Sequence, residues 1–485
     1  MNTDAPVKLI FEYEGQETTG RLLPADDSAP MDLAAVLGSD NLRPAPPEIP
    51  NLAENQVVRH YTRLSDKNFG VDNGPYPLGS CTMKYNPKVH EDLAALPGFA
   101  GVHPLQIPET TQGCLELLAE LEKQLCMICG VDRMTFQPAA GAHGELTGLL
   151  LMRAWHLSRN DHKRRTIIIP DSAHGTNPAS AAMVGFEIRE IRSGPDGLVD
   201  LNALEEALDD ETAGLMLTCP NTLGLFEKDI RRIADRVHEA GGLLYYDGAN
   251  INAILMQARP GDMGFDIVHL NLHKSFSSPH GGGGPGAGPI GVASFLEPFL
   301  PVPVISSTDD GRLFLDEQRP LSIGRVRGFH ASFAVLIRAY AYILANGTSG
   351  MREVSEAAVA NARYLQSRLS QAFDMPYETP CMHEFVLSAS NFKPYGVSAM
   401  DVAKRLIDYG FHPPTVYFPL TVKEAMMIEP TESEDRESLD ALAEAFLAIA
   451  HEAKTRPELL HTAPHNTPVS RPDELRAARQ PILRG

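Results

Sequence analysis

Residues 266–288 read DIVHLNLHKSFSSPHGGGGPGAG, and this stretch decides how the rest of the chain is interpreted. Its apolar run, 267–272, is typical of a buried strand, and Lys274 follows at once, before serines, a proline and six glycines. A lysine that is partly desolvated at the end of a strand is a usable nucleophile toward an aldehyde. Because a lone lysine in a glycine-rich loop is usually only a surface residue, a functional interpretation needs support from other residues.

A second apolar run with a polar end supplies that support. Residues 243–250 read LLYYDGAN, which predicts a buried strand that ends at Asp247. Ala249, just beyond the strand, is a further candidate site residue. Lys274 follows about one crossover and one strand later, so we expect both side chains at the carboxyl edge of one sheet, where α/β sheets bind ligands. An aspartate after a strand more often caps a helix or binds a metal. Together, however, a lysine that forms a Schiff base and an acid that protonates a pyridine nitrogen predict pyridoxal phosphate.

A glycine-rich helix start gives a candidate phosphate site. Residues 137–145 read QPAAGAHGE and precede a helical apolar run, 146–155. Small residues before a helix let backbone amides approach an anion, and the helix dipole favours a phosphate there. The sequence therefore predicts that Gly141 and Ala142 hold the cofactor phosphate, although such a start taken alone is more often structural.

Four motifs together resemble one enzyme family. They are LNLHKSFSSPHGGGGPGAGPIGV (270–292), PLGSCTMKYNP (77–87), QPAAGAHGE (137–145) and SIGRVRGFHASFAVLIRAYAYI (322–343). They resemble the glycine decarboxylase, or P-protein, family of the glycine cleavage system. The chain has about half the length of the single-chain form, so it is similar to subunit 2 of the split form, the half with the cofactor lysine. The resemblance runs from about Arg59 to the C-terminus.

The resemblance implies a complete reaction and a set of partners. The expected activity is pyridoxal-phosphate-dependent decarboxylation of glycine, with transfer of the aminomethyl group to the lipoyl arm of H-protein and release of CO2. Such an enzyme is a glycine dehydrogenase (aminomethyl-transferring), an oxidoreductase of glycine catabolism. The expected partners are glycine, lipoylated H-protein and a companion subunit 1, in a heterotetramer with two copies of each subunit.

Composition and charge limit the other possibilities. A chain of 485 residues exceeds what one hydrophobic core supports, so at least two domains are expected. The formal charge of −20 argues against nucleic acid or an anionic membrane as a partner. There is no apolar run of the ~20 residues that a membrane helix needs, and the first residues lack the pattern of a signal or transit peptide. The sequence therefore predicts a cytoplasmic protein.

Cysteine usage fits a reducing compartment and no metal site. Six cysteines are too few for a disulfide scaffold at this length. Cys126 and Cys129 match half of a zinc or redox motif, but no second pair or nearby histidine completes it. Both lie at the end of a helical run, so we expect small core residues and no metal.

Helical and strand patterns alternate through the middle of the chain. This alternation predicts an α/β protein with the aminotransferase-like pyridoxal phosphate fold (fold type I), in which a large domain holds a mostly parallel sheet and a small C-terminal domain is α+β. The predicted helices are 114–129, 145–159, 201–209, 229–240, 333–344, 352–373, 399–409 and 435–449. The predicted strands are 7–13, 166–169, 186–191, 214–218, 243–246, 267–272, 290–295, 384–389 and 415–418.

The same patterns suggest domain boundaries. They predict an N-terminal arm (1–58), an active-site loop segment (59–109), a large cofactor-binding domain (110–321), a connecting helix (322–350), a small domain (351–454) and a tail (455–485). The arm and the tail show little periodicity, so we expect each to lie over a neighbouring domain or subunit.

Loops after the predicted strands add candidate cofactor ligands. His174, in the loop 171–177, is expected to stack on the pyridine ring, although a lone loop histidine is usually solvated or capping. Asn221 or Thr222 is expected to donate to the phenolic oxygen. Asn271 and His273, on either side of Leu272, are candidates for reaching the phosphate.

Five further side chains are candidates for substrate binding or the entrance. Ser80, Cys81 and Lys84 lie in a loop that matches a family segment near the active site, with a solvated loop as the alternative. Arg325 and Arg327 have the chemistry to bind the glycine carboxylate or a phosphate, or to form interdomain ion pairs. The glycine run 281–288 lacks the Lys-Ser/Thr ending of a P-loop, so we expect its backbone to lie against the cofactor or a partner chain, with a flexible linker as the alternative.

Three other functions remain open from the sequence. The chain has features compatible with another pyridoxal-dependent amino-acid decarboxylase or with a cysteine desulfurase. A desulfurase needs a mobile catalytic cysteine, and after Lys274 only Cys381 is available. A non-catalytic subunit on the same fold would be expected to have lost Lys274 or Asp247, and both are present.

Overall fold

The computed structural model describes residues 7–13, 27–45, 52–280, 286–329 and 332–482. Backbone contacts divide the chain into two compact units. One unit comprises Met1–Gly70 with His465–Gly485, and the other comprises Val71–Pro464.

Sixteen α-helices lie in the described residues. In chain order they are α1 (Leu33–Leu37), α2 (Glu54–Ser65), α3 (Lys88–Ala94), α4 (Pro97–Ala100), α5 (Gln112–Cys129), α6 (Gly141–Ser158), α7 (Thr176–Val184), α8 (Leu201–Ala207), α9 (Ile230–Glu239), α10 (Pro260–Met263), α11 (Leu272–Ser275), α12 (Phe333–Leu369), α13 (Ala399–Asp408), α14 (Arg436–Thr455), α15 (Pro457–Thr462) and α16 (Glu474–Arg479). Short 3-10 helices lie at Ile10–Glu12, Ser39–Asn41, Pro108–Thr110, Ile251–Ile254, Ser294–Phe299 and Ser390–Tyr395.

Twelve strands in the same residues form three sheets. They are β1 (Arg133–Thr135), β2 (Thr166–Pro170), β3 (Glu187–Ile191), β4 (Thr212–Thr218), β5 (Leu243–Gly248), β6 (Ile267–Leu270), β7 (Ile290–Val292), β8 (Val304–Ser307), β9 (Leu313–Asp316), β10 (Phe385–Ser388), β11 (Thr415–Val416) and β12 (Ala425–Ile428).

The central sheet has seven strands in the order β1-β7-β6-β5-β4-β2-β3. Strands β2 to β6 run parallel, whereas β7 is antiparallel to both of its neighbours. The predicted α/β fold with a mostly parallel sheet is therefore confirmed. The predicted strand 290–295 is wrong beyond Val292, because the chain turns there into a 3-10 helix.

Both faces of the central sheet are covered by helices. Successive residues of β5 point to opposite faces, so that Leu244 and Tyr246 join one core with α5, α9 and α12, while Leu243 and Tyr245 join another with α6 and α7. Burial on both faces explains why these strands read as continuous apolar runs in the sequence.

Strand register places three polar residues side by side on the face covered by α6. Thr218 of β4 pairs with Asp247 of β5, and Asp247 pairs with His269 of β6. Each ends or nearly ends its strand, so the polar groups collect at the carboxyl edge of the sheet, as ligand sites in such sheets do.

The C-terminal part of the larger unit has its own sheet, β10-β12-β11, packed against α13 and α14. Strand β12 was missed because its four residues, AMMI, are a short apolar run without a strand-specific pattern. Helix α12 consists of two helical segments that meet at a kink at Gly347 (φ 60°, ψ −172°), which lies between the two helices predicted for 333–344 and 352–373. The hairpin β8–β9 and helix α7 were also missed.

The smaller unit is more helical than the predicted irregular arm and tail. Helix α1 is capped by Asp32, whose carboxylate accepts hydrogen bonds from Ala34 N and Ala35 N. The strand predicted for 7–13 is wrong, since Ile10–Glu12 forms a 3-10 turn closed by the Glu12 carboxylate on Leu9 N at 2.7 Å. The end of the chain includes α16. No helix of the described residues is both long and apolar enough to cross a bilayer.

Candidate active site

A cavity of about 180 Å³ lies at the carboxyl edge of the central sheet. It brings together residues from the central sheet, from the segment just before β10 and from the loop before α3. The lining residues are Ser80, Gly141, Ala142, Glu145, His174, Thr176, Thr218, Pro220, Thr222, Asp247, Ala249, Asn250, His269, Asn271, Lys274 and Glu384. Lys274, Asp247, Ala249, Gly141, Ala142, His174, Thr222, Asn271 and Ser80 were named from the sequence as candidate site residues.

Lys274 enters the cavity from α11, the short helix that follows β6. Its Nζ donates a hydrogen bond to Ser80 O at 2.7 Å. The described end of the glycine run lies against the protein here. A Cβ on Gly288 would stand 2.2 Å from Ala140 O, so this glycine is needed for close packing beside the start of α6. Residues 281–285 of the run lie outside the described residues.

Asp247 lies on the floor of the cavity, 3% exposed. Its Oδ1 accepts a hydrogen bond from Ala249 N at 3.1 Å and lies 3.5 Å from Nδ1 of His269. The His269 ring also contacts the Tyr245 hydroxyl at 3.0 Å. Burial lowers the pKa of His269 against the opposing effect of Asp247, so this histidine is neutral and does not form a charged pair with Asp247.

Three buried polar atoms on the cavity wall have no hydrogen-bond partner among the described residues. They are Thr218 Oγ1, His269 Nε2 and Asn271 Oδ1. Buried polar groups are normally paired, so these atoms mark a place for a polar ligand. The N-terminus of α6, an 18-residue helix, opens into the same cavity at Gly141 and Ala142. A Cβ on Gly141 would stand 2.9 Å from the Asn271 side chain, so a residue larger than glycine would crowd Asn271 at this helix N-terminus. These unpaired polar atoms and the helix N-terminus fit the polar groups of pyridoxal phosphate.

Two buried glutamates hold the loop that carries Ser80. Glu384 Oε2 accepts a hydrogen bond from Ser80 N at 2.7 Å, and Glu429 accepts from Thr82 N at 3.0 Å and from Thr82 Oγ1 at 2.5 Å. Ser80 and Thr82 have φ values of 63° and 43°, which are costly for residues with a side chain. The two carboxyl groups therefore stabilise a strained loop beside Lys274.

The same glutamates form a tight buried group with His383. One ligand atom from each of the three side chains lies within 4.8 Å of the others. Burial raises the pKa of Glu429 to about 7, and burial with the neighbouring Glu429 raises the pKa of Glu384 well above its usual range. Burial lowers the pKa of His383 to about 3. Glu384 therefore faces the cavity in its neutral form. No local sequence pattern indicates this group, because Glu429 and the loop at Ser80 both lie far from Glu384 along the chain.

His174 lies at the mouth of the cavity, edge-on to Phe418 with ring centroids 5.7 Å apart. Burial by surrounding protein lowers its pKa, although part of the ring stays exposed to solvent. Next to it, Glu145 is a lining residue that the sequence interpretation missed. The sequence places Glu145 in the first turns of the helix that begins at Gly141, and this position could have indicated that it lies near the proposed phosphate site.

Of three further candidates, only Thr222 lines the cavity. Asn221 is a buried structural residue whose Oδ1 accepts from Leu223 N and Leu225 N. Thr222 lines the cavity, but its hydroxyl donates to Ser172 O. His273 points away from the lining, with Nδ1 accepting from Ala287 N at 3.3 Å. Asn221 and His273 are therefore not brought to the cavity.

The remaining candidates for the entrance or for substrate binding do not line the cavity. Lys84 is 3% exposed and forms an ion pair with Glu432 at 2.7 Å, so it is a core residue and not an entrance residue. Arg325 pairs with Glu317, and Arg327 Nη1 donates to Ser332 Oγ at 3.4 Å, so neither arginine lines the cavity. Cys81 is half-buried beside Lys274, and burial raises the pKa of its thiol.

The cysteines show no sign of a desulfurase nucleophile. Cys381 is fully buried, and burial raises the pKa of its thiol to about 12. A nucleophilic cysteine is exposed and has a lowered pKa. All six cysteines are free. Cys129 of α5 is buried, as expected for a core residue, whereas Cys126 on the same helix is only partly buried.

Two family models match the chain. "Aminotransferase class-V" covers residues 150–283, and "Glycine dehydrogenase, C-terminal domain" covers residues 354–468. Solved structures agree on the fold. A crystal structure of glycine decarboxylase (P-protein) of the glycine cleavage system in inhibitor-bound form superposes with a TM-score of 0.72 at 23% identity, over 86% of this chain and 94% of that one. A cysteine desulfurase from Thermococcus onnurineus superposes with a TM-score of 0.60 at 14% identity, over 81% and 96%. The class is therefore the aminotransferase class-V fold, whose members carry pyridoxal phosphate.

Sequence relatives define the family within that class. The chain is 59% identical to a probable glycine dehydrogenase (decarboxylating) subunit 2 from Caldanaerobacter subterraneus subsp. tengcongensis, over 98% of both chains. It is 56% identical to the protein of the same name from Alkaliphilus oremlandii, again over 98% of both. The chain belongs to the family of glycine dehydrogenase (decarboxylating) subunit 2, which confirms the resemblance seen in the motifs.

Proposed function

We propose that this chain binds pyridoxal phosphate, decarboxylates glycine and transfers the remaining aminomethyl group to the lipoyl arm of H-protein. Family membership supports the decarboxylation of glycine within the glycine cleavage system. The single observation that carries the site assignment is that Lys274, Asp247 and the N-terminus of α6 open into one cavity. A lysine, an acid and an anion-binding helix end are what this cofactor requires from its host.

Each part of the cofactor has a candidate partner in the cavity. Lys274 would hold the aldehyde carbon and Asp247 the ring nitrogen. Gly141, Ala142 and Asn271 would hold the phosphate, His174 would lie on the ring face, and Thr222 would lie near the phenolic oxygen. When bound, pyridoxal phosphate supplies an electron sink for the pair released as the bond to the carboxylate breaks.

The protein residues then have distinct tasks. The Asp247 carboxylate, next to a neutral His269, keeps a proton on the ring nitrogen. Lys274 would hold the cofactor until the glycine amine takes its place, and its amine would then be free to hold or move a proton near the α-carbon. Lys274 Nζ donates a hydrogen bond to Ser80 O, so displacement of Lys274 would remove a contact of the strained loop.

The side of the cavity near Ser80 and Glu384 favours loss of the carboxylate. Glu384 is 2% exposed, and burial with the neighbouring Glu429 raises its pKa, which favours the neutral form. A neutral carboxyl places no positive charge beside a glycine carboxylate bound there. Desolvation raises the free energy of a carboxylate relative to neutral carbon dioxide. Binding glycine with its carboxylate toward Glu384 therefore favours cleavage of that bond.

The active assembly includes a companion chain. The name of the relatives implies a subunit 1, and we propose a heterotetramer with two copies of each subunit that accepts the lipoyl arm of H-protein.

Exchange of labelled bicarbonate into glycine tests this function. Purified chain with subunit 1, pyridoxal phosphate and lipoylated H-protein is expected to show exchange, and omission of the lipoylated carrier is expected to abolish it. Lys274→Ala serves as the matched control for background exchange. Carrier-independent release of CO2 from other amino acids, without exchange into glycine, would contradict the proposal and favour another decarboxylase.

A further inference from the structure

Glu145 is a buried carboxyl on the cavity wall that the proposed chemistry does not use. It is 4% exposed on α6, and it bridges to α7 through two hydroxyl groups. Its Oε1 lies 2.7 Å from Thr176 Oγ1, and its Oε2 accepts a hydrogen bond from Ser180 Oγ at 2.9 Å. Glu145 thus holds the beginning of α7, the segment that directly follows His174.

A chain of contacts runs from Glu145 to the histidine ring. Nδ1 of His174 lies 2.8 Å from Thr176 Oγ1 and accepts a hydrogen bond from Thr176 N at 3.2 Å. The threonine hydroxyl has one hydrogen to give, and it lies between Glu145 Oε1 and His174 Nδ1. The direction of that hydrogen decides which ring nitrogen of His174 is protonated.

The two protonation states of Glu145 arrange these contacts differently. If Glu145 is ionised, it takes the threonine hydrogen, so His174 must present Nδ1–H to Oγ1 and thereby oppose Thr176 N–H. If Glu145 is neutral, its own O–H points to Thr176 Oγ1, the threonine hydroxyl donates to Nδ1, and the backbone N–H keeps its acceptor. The second arrangement places the ring hydrogen on Nε2.

The surroundings of Glu145 favour its neutral form. Burial and the neighbouring Asp247 raise the pKa of Glu145 to about 7, while Thr176, Ser180 and Lys274 act in the opposite direction. Tyr245 of β5 also faces it. A second charged carboxyl beside Asp247 would be unfavourable in this buried site.

We propose that Glu145 is a positioning residue, which as a neutral carboxyl orients His174 through Thr176 and leaves Asp247 as the charged carboxylate of this part of the cavity. This inference rests on the proposed function, since it concerns how His174 meets the cofactor ring. Ionisation of Glu145 reverses the hydrogen-bond chain and turns the ring out of its bound orientation.

Matched variants separate positioning from packing. Thr176→Val removes the hydroxyl that links Glu145 to His174, Thr176→Ser retains it, and Ser180→Ala removes only the other partner of Glu145. Glu145→Gln replaces the neutral carboxyl by an amide that is a permanent donor to Thr176 Oγ1. The readouts are the dissociation constant of pyridoxal phosphate and the pH profile of the absorbance of the bound cofactor between pH 5.5 and 8.5.

The variants are expected to differ in a defined way. Wild-type protein should lose cofactor affinity as the pH rises through about 7, whereas Glu145→Gln should keep the low-pH affinity across the range. Thr176→Val should weaken affinity at pH 6 by up to about tenfold, the effect of one hydrogen bond, and Thr176→Ser and Ser180→Ala should lie within about threefold of wild type. Circular dichroism of each variant establishes that it is folded.

Two results would overturn the proposal. One is a Glu145→Gln profile that keeps the wild-type dependence around pH 7, and the other is a Ser180→Ala loss equal to that of Thr176→Val, which would indicate packing alone. Failure of cofactor binding, on which the proposed function rests, looks different, because wild-type protein would then show no borohydride-sensitive absorbance at any pH. Failure of the glycine reaction alone would appear as missing bicarbonate exchange with the absorbance retained.

Discussion

Asp247 and His269 are register partners on adjacent parallel strands, with 3.5 Å between Asp247 Oδ1 and His269 Nδ1. The pair looks like an ion pair, but burial lowers the pKa of His269, and its Nδ1 also contacts the Tyr245 hydroxyl. The histidine is therefore neutral at pH 7. Asp247 is held in place by Ala249 N without a cationic histidine beside it, which suits its proposed role at a pyridine nitrogen.

Asp247→Asn is expected to separate cofactor attachment from catalysis. The amide keeps the shape of the side chain but loses the charge, so glycine decarboxylation should fall by about a hundredfold or more, as for other lost electrostatic groups at reacting centres. Borohydride should still fix the cofactor on Lys274. The measurement is kcat in the bicarbonate exchange reaction, and a decrease of less than threefold would rule out a role for the Asp247 charge.

Lys84→Met is expected to destabilise the larger unit. Lys84 Nζ donates to Asn252 Oδ1 at 2.8 Å and to Ser275 O at 2.9 Å, and it pairs with Glu432. Removal of the ammonium leaves a buried carboxylate without its cation, which costs about 3–5 kcal/mol. Urea unfolding followed by circular dichroism gives the free energy of unfolding.

Lys88→Met is the matched control for that variant. Lys88 pairs with Asp72 at 2.7 Å, but both side chains are more than half exposed, so the change should be no more than about 1 kcal/mol. Equal destabilisation by the two variants would show that burial of the Lys84 pair has no special importance for the fold.

Glu227 is expected to make stability depend on pH. It is 2% exposed, and its Oε2 accepts a hydrogen bond from Val199 N at 3.0 Å. Burial raises its pKa from 4.5 to about 7. The unfolded chain therefore releases this proton first as the pH rises, and the group lowers the stability of the folded state progressively between pH 4.5 and 7.

Glu227→Gln removes that pH dependence while keeping an acceptor for Val199 N. At pH 8 the variant should be more stable than wild type by about 1–3 kcal/mol, and the difference should vanish near pH 4.5. Denaturant unfolding at several pH values measures both quantities. A variant that is less stable than wild type at pH 8 would show that the charged form is favoured in the fold.

The sequence predicted those parts of the molecule that depend on local pattern. Residues 243–250 and 266–274 contain an apolar run followed by a polar group, and burial of a strand on both faces leaves that pattern in any parallel sheet. The relation between Lys274 and Asp247 followed because one crossover separates adjacent parallel strands. Helix α5 was predicted to within two residues for the same reason, since its apolar period is continuous.

Contacts between distant segments could not be predicted in this way. Glu384 and Glu429 reach Ser80 and Thr82 across more than 300 residues of chain, and no local pattern records such a pairing. Lys84 was expected at the entrance because its loop matches a family segment near the active site. Its ammonium is instead buried, which Asn252 Oδ1, Ser275 O and the Glu432 carboxylate make favourable. Glu145 was overlooked because a glutamate in the first turns of a helix usually needs no explanation beyond the helix dipole.

The most direct test is to identify the residue that holds the cofactor. Protein incubated with pyridoxal phosphate is reduced with borohydride, digested and analysed by mass spectrometry, with Lys274→Ala treated in parallel. We expect the pyridoxyl label on Lys274 alone and no borohydride-sensitive absorbance in the variant. A label on another lysine, or unchanged labelling of Lys274→Ala, would contradict the assignment of the cavity between Asp247 and Lys274 as the active site.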